Sequence, residues 1–267
     1  RNALDYNGKK AIYNNLYKDK EGRWRIDFES LERDAADPRA KLLIWCSPHN
    51  PTGRIWTEEE LKKVAAIVEK YNLWIISDEI HCDLLRQGRK HIPMAKIMPG
   101  YDRLIVCTSA SKCFNMAGLM LAEIIIRNRD LKDRWITYTN SYAMNINPLA
   151  IAAHRAAYEH GYEWLDRMKT YLDGNFSFVK ETLDRDLPET RFEIPEATYL
   201  AWVDLNPYMG DIEDIPDFFA NKAGVLLEGG DALFVDNAKG YVRLNLAMPR
   251  SLLAEGLKRI VAAVKNR

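Results

Sequence analysis

Residues 41–53 read KLLIWCSPHNPTG, an apolar run followed at once by a cluster of turn-forming residues. A continuous apolar run of this kind is typical of a strand buried on both faces of a parallel sheet, so we predict such a strand over residues 41–46. Thr57 and Glu60 then have the spacing of a capping box, which marks the start of a helix. The helix behind it places apolar residues on one face: Leu61, Val64, Ala65 and Val68. The stretch therefore predicts a strand, a turn and a helix in succession.

The same alternation continues through the first half of the chain. Three further apolar runs predict strands over residues 73–77, 104–107 and 122–126. Strands that alternate with helices indicate βαβ units, so the predicted fold class is α/β, with a mainly parallel sheet and flanking helices. We expect this sheet to form a large domain over residues 1–160.

The second half of the chain has a different pattern. Long helices are predicted over residues 148–160 and 162–183. The strand candidates that follow do not alternate with helices and lie at residues 198–204, 225–227 and 241–246. A closing helix carries one apolar stripe: Leu253, Leu257, Ile260 and Val264. We therefore expect a smaller α+β C-terminal domain over residues 161–267, with the boundary inside the long helix.

Composition excludes several classes of partner. The 267 residues carry 38 basic and 38 acidic side chains, so no basic excess indicates nucleic-acid binding. No apolar run approaches the roughly 20 residues of a membrane span. The cysteines have no CxxC spacing, which favours free thiols in a reducing cytoplasm over disulfides or a metal site: Cys46, Cys82, Cys107 and Cys113. We expect a cytoplasmic protein that binds neither nucleic acid, membrane nor metal.

Polar groups follow three successive strands of the predicted sheet. Asn50 follows the first strand, Asp78 the second, and the stretch Ser109 to Lys112 the third. Each has a structural explanation on its own, as a turn residue, a helix cap or a solvated lysine. In parallel α/β sheets, however, ligands bind beyond the carboxyl ends of the strands. The shared position therefore favours one site over three coincidences.

One cofactor uses all of these groups. A lysine with a lowered pKa can form a Schiff base with an aldehyde, and hydroxyls with backbone N–H groups can hold a phosphate. Pyridoxal phosphate requires such a lysine, an acid facing its pyridine nitrogen, and phosphate donors. Lys112, Asp78 and the hydroxyls of Ser109 and Ser111 could supply them, and Asn50 could donate to the phenolic oxygen of the ring. The sequence therefore predicts a pyridoxal-phosphate site.

Several motifs resemble a known family. The segments SPHNPTG (47–53), SDEIH (77–81) and SASK (109–112) are similar to the class I/II aminotransferases, which are fold-type I pyridoxal-phosphate enzymes. Four further segments look like the cystathionine β-lyase, or C–S lyase, branch: DEIHCDL (78–84), SKCFNMAGL (111–119), ATYLAW (197–202) and RLNLAMPRS (243–251). The resemblance runs over essentially the whole chain.

The resemblance implies a role for each matching residue. Lys112 corresponds to the lysine that holds the cofactor, Asp78 to the partner of the pyridinium nitrogen, and Asn50 to the donor to the phenolic oxygen. Ser109 and Ser111 correspond to the phosphate-binding hydroxyls. His81 stands where many aminotransferases carry a tyrosine, and this branch commonly has histidine there. Arg243 corresponds to the arginine that binds the substrate carboxylate, for which a bidentate guanidinium is well suited. A homodimer is also implied.

Two departures from the family pattern bear on function. Met120 stands eight residues after Lys112, where many aminotransferases carry an arginine that helps to hold the phosphate. A residue other than arginine is usual in the lyase branch, so Met120 favours a lyase. Relatives also have a considerable segment before the equivalent of Arg1, which supplies the ring-stacking aromatic and part of the dimer interface. We therefore expect an N-terminally incomplete large domain.

The resemblance implies a pyridoxal-phosphate-dependent C–S β-lyase. Such an enzyme cleaves cystathionine- or cysteine-type thioethers to pyruvate, ammonia and a thiol. The same residues also suit an aminotransferase of amino acids, which stays open as an alternative. A module that binds the cofactor without turnover, or an inactive fragment, is the further alternative.

Overall fold

The computed structural model describes residues 2–230 and 238–267. The chain begins with helix α1 (Asn2–Tyr6), the paired strands β1 (Tyr17–Lys18) and β2 (Trp24–Arg25), and helix α2 (Phe28–Ala35). The sheet strands that follow are β3 (Leu42–Cys46), β4 (Trp74–Asp78), β5 (Leu104–Thr108) and β6 (Glu123–Ile126). The helices between and after them are α3 (Glu58–Lys70), α4 (Met94–Ile97), α5 (Ala110–Cys113), α6 (Arg129–Ser141) and α7 (Pro148–His160).

The predicted α/β sheet is confirmed. Its strand order is β3–β4–β5–β6, in which β3, β4 and β5 run parallel and β6 pairs antiparallel with β5. The capping box before α3 is also confirmed, because Thr57 Oγ1 accepts from the Glu60 N–H and the Glu60 carboxylate accepts from the Thr57 N–H. The apolar face of α3 packs on the sheet through Leu61, Val64 and Val68, which are fully buried.

The prediction that the first strand is buried on both faces is wrong. Trp45 of β3 is buried, whereas Leu42 and Ile44 are 42% and 58% exposed. Successive side chains of a strand point to opposite faces, so one face of β3 packs on the core and the other stays accessible in the part of the chain that the structure describes. The strand also lies at one edge of the four-stranded sheet.

The second half of the chain forms an antiparallel sheet against helices. Its helices are α8 (Tyr162–Asp186), α9 (Asn206–Met209), α10 (Ile215–Ala223) and α11 (Arg250–Lys265). Its strands are β7 (Leu200–Asp204), β8 (Glu228–Gly229) and β9 (Tyr241–Asn245), in the order β7–β9–β8. The predicted stripe of the closing helix is confirmed, because its four residues are buried in one core with Phe176, Val203 and Val242. The domain division at residues 160 and 161 stays a prediction.

The strand expected at residues 225–227 is not formed. Gly224 ends α10 in the left-handed conformation (φ 60°), and the Val225 N–H returns to the carbonyl of Phe219. This bond occupies a carbonyl of the last turn of α10, so the backbone N–H of Val225 is used by the helix end rather than by a sheet. The strand therefore starts later, at Glu228.

Two buried arginines hold the segments around residues 195–200 against the first sheet. Arg86 donates from Nη1 to Asp173 Oδ1 (2.8 Å) and from Nη2 to the Thr198 carbonyl (2.5 Å), and it lies 4.6 Å from the centroid of the Phe176 ring. Arg54 contacts the carboxylates of Glu60 and Glu196 at 2.8 and 2.9 Å. These contacts fix the antiparallel sheet relative to the parallel one.

The turn after β3 approaches the same segment closely. Gly53 has φ 65°, and a Cβ atom there would lie 2.3 Å from Pro195 Cβ and 2.6 Å from the Ala197 carbonyl oxygen. Only glycine accommodates both the left-handed backbone and this approach. The turn that carries Asn50 is therefore held against residues 195–197.

Among the described residues, no helix is long and apolar enough to cross a bilayer.

Candidate active site

The carboxyl ends of β3, β4 and β5 bring the first two predicted site residues together. Asp78, the last residue of β4, pairs in register with Cys46 of β3 and Cys107 of β5. The turn that carries Asn50 starts at Ser47, whose N–H donates to the Asp78 carbonyl at 2.9 Å. Burial raises the pKa of the Cys46 thiol to about 11, and the charge of Asp78 acts in the same direction. The groups flanking Asp78 in the sheet are therefore neutral.

Lys112 lies in the short helix α5 that follows β5. Ser109 caps this helix, because its Oγ accepts from the Ser111 N–H at 3.0 Å. The same Oγ donates to the Leu121 carbonyl at 2.7 Å, so the Ser109 proton is used inside the protein in this structure. Ser109 and Ser111 are both buried, and Lys112 is partly buried. The phosphate-binding role of the two serines stays a prediction.

Met120, which stands eight residues after Lys112, lies at the protein surface. Met120 is 91% exposed and adopts a left-handed backbone conformation (φ 51°) just after the 3₁₀ turn Ala117–Leu119. An apolar side chain cannot pair with a phosphate, so this position supplies no charge to the site.

His81 is a buried imidazole between the two halves of the site. Its ring packs edge-on against Tyr199, with the ring centroids 6.0 Å apart. Burial, together with the positive charges of Lys112 and Arg243, lowers the pKa of His81 to about 4. The imidazole is therefore neutral at pH 7. Its Nδ1 atom is buried and has no hydrogen-bond partner in the described parts of the chain.

Arg243 joins the antiparallel sheet to the parallel one. Its Nη1 donates to Asn50 Oδ1 at 3.0 Å, a contact between residues 193 positions apart. Since the oxygen of the Asn50 amide accepts this bond, the Nδ2 group of the same amide remains as a donor. The side chain of Arg243 is only 15% exposed. The predicted carboxylate-binding arginine and the predicted phenolic-oxygen donor thus lie in direct contact.

Sequence reasoning missed two residues of this site, Tyr199 and Glu228. Tyr199 packs on His81, and burial raises the pKa of its phenol. Glu228 forms an ion pair with Arg243, 2.5 Å from Nη2. Tyr199 lies in the segment ATYLAW (197–202), which carries the family resemblance, so the sequence contained a signal for it. Glu228 gave no signal, because the strand that presents it was predicted three residues too early.

A backbone outlier lies beside Tyr199. Thr198 has φ 73°, which is rare for a β-branched residue. Its backbone is held by bonds in two directions, from its N–H to the Leu84 carbonyl and from Arg86 to its carbonyl. Strained residues of this kind persist where the surrounding structure fixes them and cluster at active sites. The outlier therefore lies directly beside Tyr199, a residue of the candidate site.

The residues present fit pyridoxal phosphate. Asp78 has no cationic side chain within ion-pair distance among the residues that the structure describes, so a pyridinium nitrogen would supply the missing positive partner. The unpaired Nδ1 of His81 and the Nδ2 donor of Asn50 provide polar contacts, and Lys112 provides the amine. The site therefore contains the groups that the predicted roles require: an amine, a carboxylate without a cationic partner in the described residues, an amide donor and a largely buried guanidinium.

The chain is similar to several known proteins. The family described as aminotransferase class I and II matches residues 1–260. Cystathionine β-lyase PatB of Bacillus subtilis is 35% identical over 98% of the chain and 67% of its own length. Protein MalY of Escherichia coli is 34% identical over the same shares. The crystal structure of a pyridoxal-phosphate-bound C–S lyase from Staphylococcus hominis superposes with a TM-score of 0.93 at 45% identity, covering 98% of this chain and 66% of that one.

The chain thus spans about two thirds of the length of the relatives that it matches. The family match covers nearly all of it, and the similar proteins include C–S lyases and aminotransferases. The chain belongs to the aminotransferase class I and II family.

Proposed function

We propose that the protein is a pyridoxal-phosphate-dependent C–S β-lyase that cleaves cystathionine- or cysteine-type thioethers to pyruvate, ammonia and a thiol. The observation that carries the proposal is the contact between Arg243, the predicted carboxylate-binding arginine, and Asn50, the predicted donor to the cofactor. The names of the relatives PatB and the Staphylococcus hominis enzyme support the lyase reaction over other reactions of the family.

Each residue has a defined task in the proposed reaction. Asp78 faces the pyridine nitrogen, Asn50 donates to the phenolic oxygen, and Ser111 contacts the phosphate. Ser109 also contacts the phosphate once its hydroxyl proton turns away from the Leu121 carbonyl. When bound, pyridoxal phosphate would supply an electron sink for the negative charge that forms at the α-carbon of the substrate.

Arg243 binds the α-carboxylate and so orients the Cα–H bond towards Lys112. The amine of Lys112 accepts the α-proton as general base. The charge left at Cα then expels the β-thiolate, and hydrolysis of the remaining three-carbon unit gives pyruvate and ammonia. His81 adds no positive charge to the site during the reaction, because its lowered pKa keeps the imidazole neutral beside Lys112 and Arg243.

Incubation with cystathionine tests the reaction. The holoenzyme is expected to release pyruvate and a thiol without any added keto acid, and Lys112→Ala is expected to release neither. Lys62→Ala is a matched control, because Lys62 is an exposed lysine on α3 paired with Glu58. If product forms only when a keto-acid acceptor is present, the protein is an aminotransferase instead.

Aminotransfer is the second candidate, favoured by relatives such as an aspartate aminotransferase from Pyrococcus horikoshii, 26% identical over 89% of the chain. In that reaction Lys112 would still accept and return a proton, and the carbon–sulfur bond of the substrate would stay intact. Absorbance distinguishes a protein that binds the cofactor from an inactive fragment. Added pyridoxal phosphate should give a bound-cofactor band that Lys112→Ala abolishes. A band without turnover would indicate a non-catalytic binding protein, and no band in the unmutated protein would indicate an inactive fragment.

We also propose a cytoplasmic homodimer. Helices α6 and α7 and the turn between them expose apolar side chains, among them Trp135 (42%), Ile146 (58%) and Leu149 (73%). Exposed apolar surface of this kind is typical of a protein–protein interface. The free thiols of the four cysteines suit a reducing compartment. Sedimentation equilibrium, with Leu149→Glu as the interface variant, tests the dimer.

A further inference from the structure

The guanidinium of Arg243 is held along one edge by a residue with no part in the proposed reaction. Nε and Nη2 of Arg243 lie 2.6 and 2.5 Å from the same atom, Oε2 of Glu228. A guanidinium carries five N–H groups in a rigid plane, and Nε and Nη2 share one edge of it. Glu228 therefore occupies this edge of the guanidinium, and it does so with one carboxylate oxygen, Oε2.

The N–H groups of Arg243 that do not contact Glu228 lie on its two terminal nitrogens. Nη1 donates one N–H to Asn50 Oδ1. After these contacts, each terminal nitrogen, Nη1 and Nη2, retains one N–H group. A substrate carboxylate binds best to a pair of N–H groups. The contacts with Glu228 and Asn50 thus leave one such group on each terminal nitrogen.

The backbone fixes the position of Glu228. Glu228 of β8 pairs in register with Arg243 of β9, so the two side chains are directly opposed across an antiparallel pair. The next residue, Gly229, packs so closely that a Cβ atom there would lie 2.7 Å from Pro216 Cγ. Glu228 is 51% exposed and Arg243 only 15%, so the acid lies at the rim and the guanidinium lies inside.

We propose that Glu228 is a positioning residue, which holds the Nε edge of Arg243 so that its terminal nitrogens face Asn50 and the incoming substrate carboxylate. The alternative is that Glu228 occupies the substrate position and must be displaced. A carboxylate in that position would engage both terminal nitrogens, whereas Glu228 contacts Nε and Nη2 only. The inference rests on the proposed function, because it assigns Arg243 to the substrate carboxylate.

Steady-state kinetics of the holoenzyme with cystathionine tests the proposal. Glu228→Ala should raise KM about tenfold and change kcat by less than about twofold, because substrate binding loses orientation while the reacting groups stay in place. Glu228→Gln should raise KM only about threefold, because its amide oxygen still accepts from Nε. Glu255→Ala is the matched control, since Glu255 is also 51% exposed and pairs with Arg259 on α11. It should leave KM unchanged.

A binding measurement separates this inference from the proposed function. Calorimetric titration uses 3-(methylthio)propionate, which carries a carboxylate and a thioether but no amino group. Its dissociation constants should rank the variants in the same order as their KM values do. An unchanged or lower KM in Glu228→Ala overturns the positioning role, and a lower one means that Glu228 competes with substrate. If Arg243→Lys leaves both constants unchanged, the carboxylate site itself is wrongly assigned. If only Arg243→Lys raises them, the positioning role alone is wrong.

Discussion

The parallel sheet and the antiparallel sheet contribute to the site in different ways. The parallel sheet supplies Asn50, Asp78 and Lys112 from the ends of three neighbouring strands, where chain direction alone brings them to one edge. The antiparallel sheet supplies Arg243 from the middle of β9, and it reaches Asn50 only because the two halves of the chain pack together. Strand order thus brings together the residues of the proposed cofactor side, and long-range packing positions the arginine of the proposed substrate side.

Because the two sheets contribute differently, substitutions in the parallel sheet and in the antiparallel sheet should affect different kinetic constants. The largest effect is expected at Lys112, on the parallel edge. Lys112→Ala removes the proposed general base and should lower kcat by about 10⁴-fold while the thermal midpoint of the apo protein changes little. Measurement of pyruvate release checks this, with Lys62→Ala as control. Residual activity within about tenfold of wild type would mean that another group takes the proton.

The packing that positions Arg243 should be sensitive to Arg86. Arg86→Ala leaves the Thr198 carbonyl and Asp173 without their partner, and breaking a buried charged contact lowers the free energy of unfolding by ~3 kcal/mol. Urea denaturation measures this loss. Arg89→Ala is the control, because Arg89 is 55% exposed and lies 3.5 Å from Glu196. Equal losses in the two variants would show that Arg86 does not hold the two sheets together.

Arg243 itself should affect substrate binding more than turnover. Lysine is a point charge and cannot present two N–H groups in a plane, so Arg243→Lys should lower kcat/KM about 100-fold, mostly through KM. The measurement is steady-state kinetics with cystathionine, and Arg259→Lys, an exposed pair on α11, serves as control. A fall in kcat alone would place Arg243 on the chemical step instead, and the contrast between the two sheets would fail.

The same contrast explains how much the sequence could predict. Apolar runs are enough to predict β4 and β5 and to locate Asp78 and Lys112 near their carboxyl ends, because a strand and the residues that follow it are neighbours in the chain. The pairing of Glu228 with Arg243 depends on where β8 starts, and this is set by the helix end at Gly224 and Val225. The exposed face of β3 depends on what covers it in three dimensions, and a run of apolar residues does not contain that information.

His81 gives the smallest effect and reports on both sheets at once, because its pKa is lowered first by burial and then by Lys112 from one side and Arg243 from the other. An unfolded histidine titrates near pH ~6.5, whereas the pKa of folded His81 is about 4. Between these values the unfolded state binds more protons. Stability is therefore complete above pH ~6.5 and falls as the pH is lowered, by up to ~1.4 kcal/mol per pH unit for each such histidine.

His49 contributes in the same way, because burial lowers its pKa to about 4 as well. Replacing one of the two histidines should therefore remove about half of the histidine-dependent slope. Urea denaturation of the cofactor-free protein between pH ~5 and ~6.5 measures it, with His81→Gln as the variant and His160→Gln, 77% exposed, as control. A slope in His81→Gln equal to that of the control would show that His81 is not held neutral, and that the charges of Lys112 and Arg243 do not meet at this imidazole.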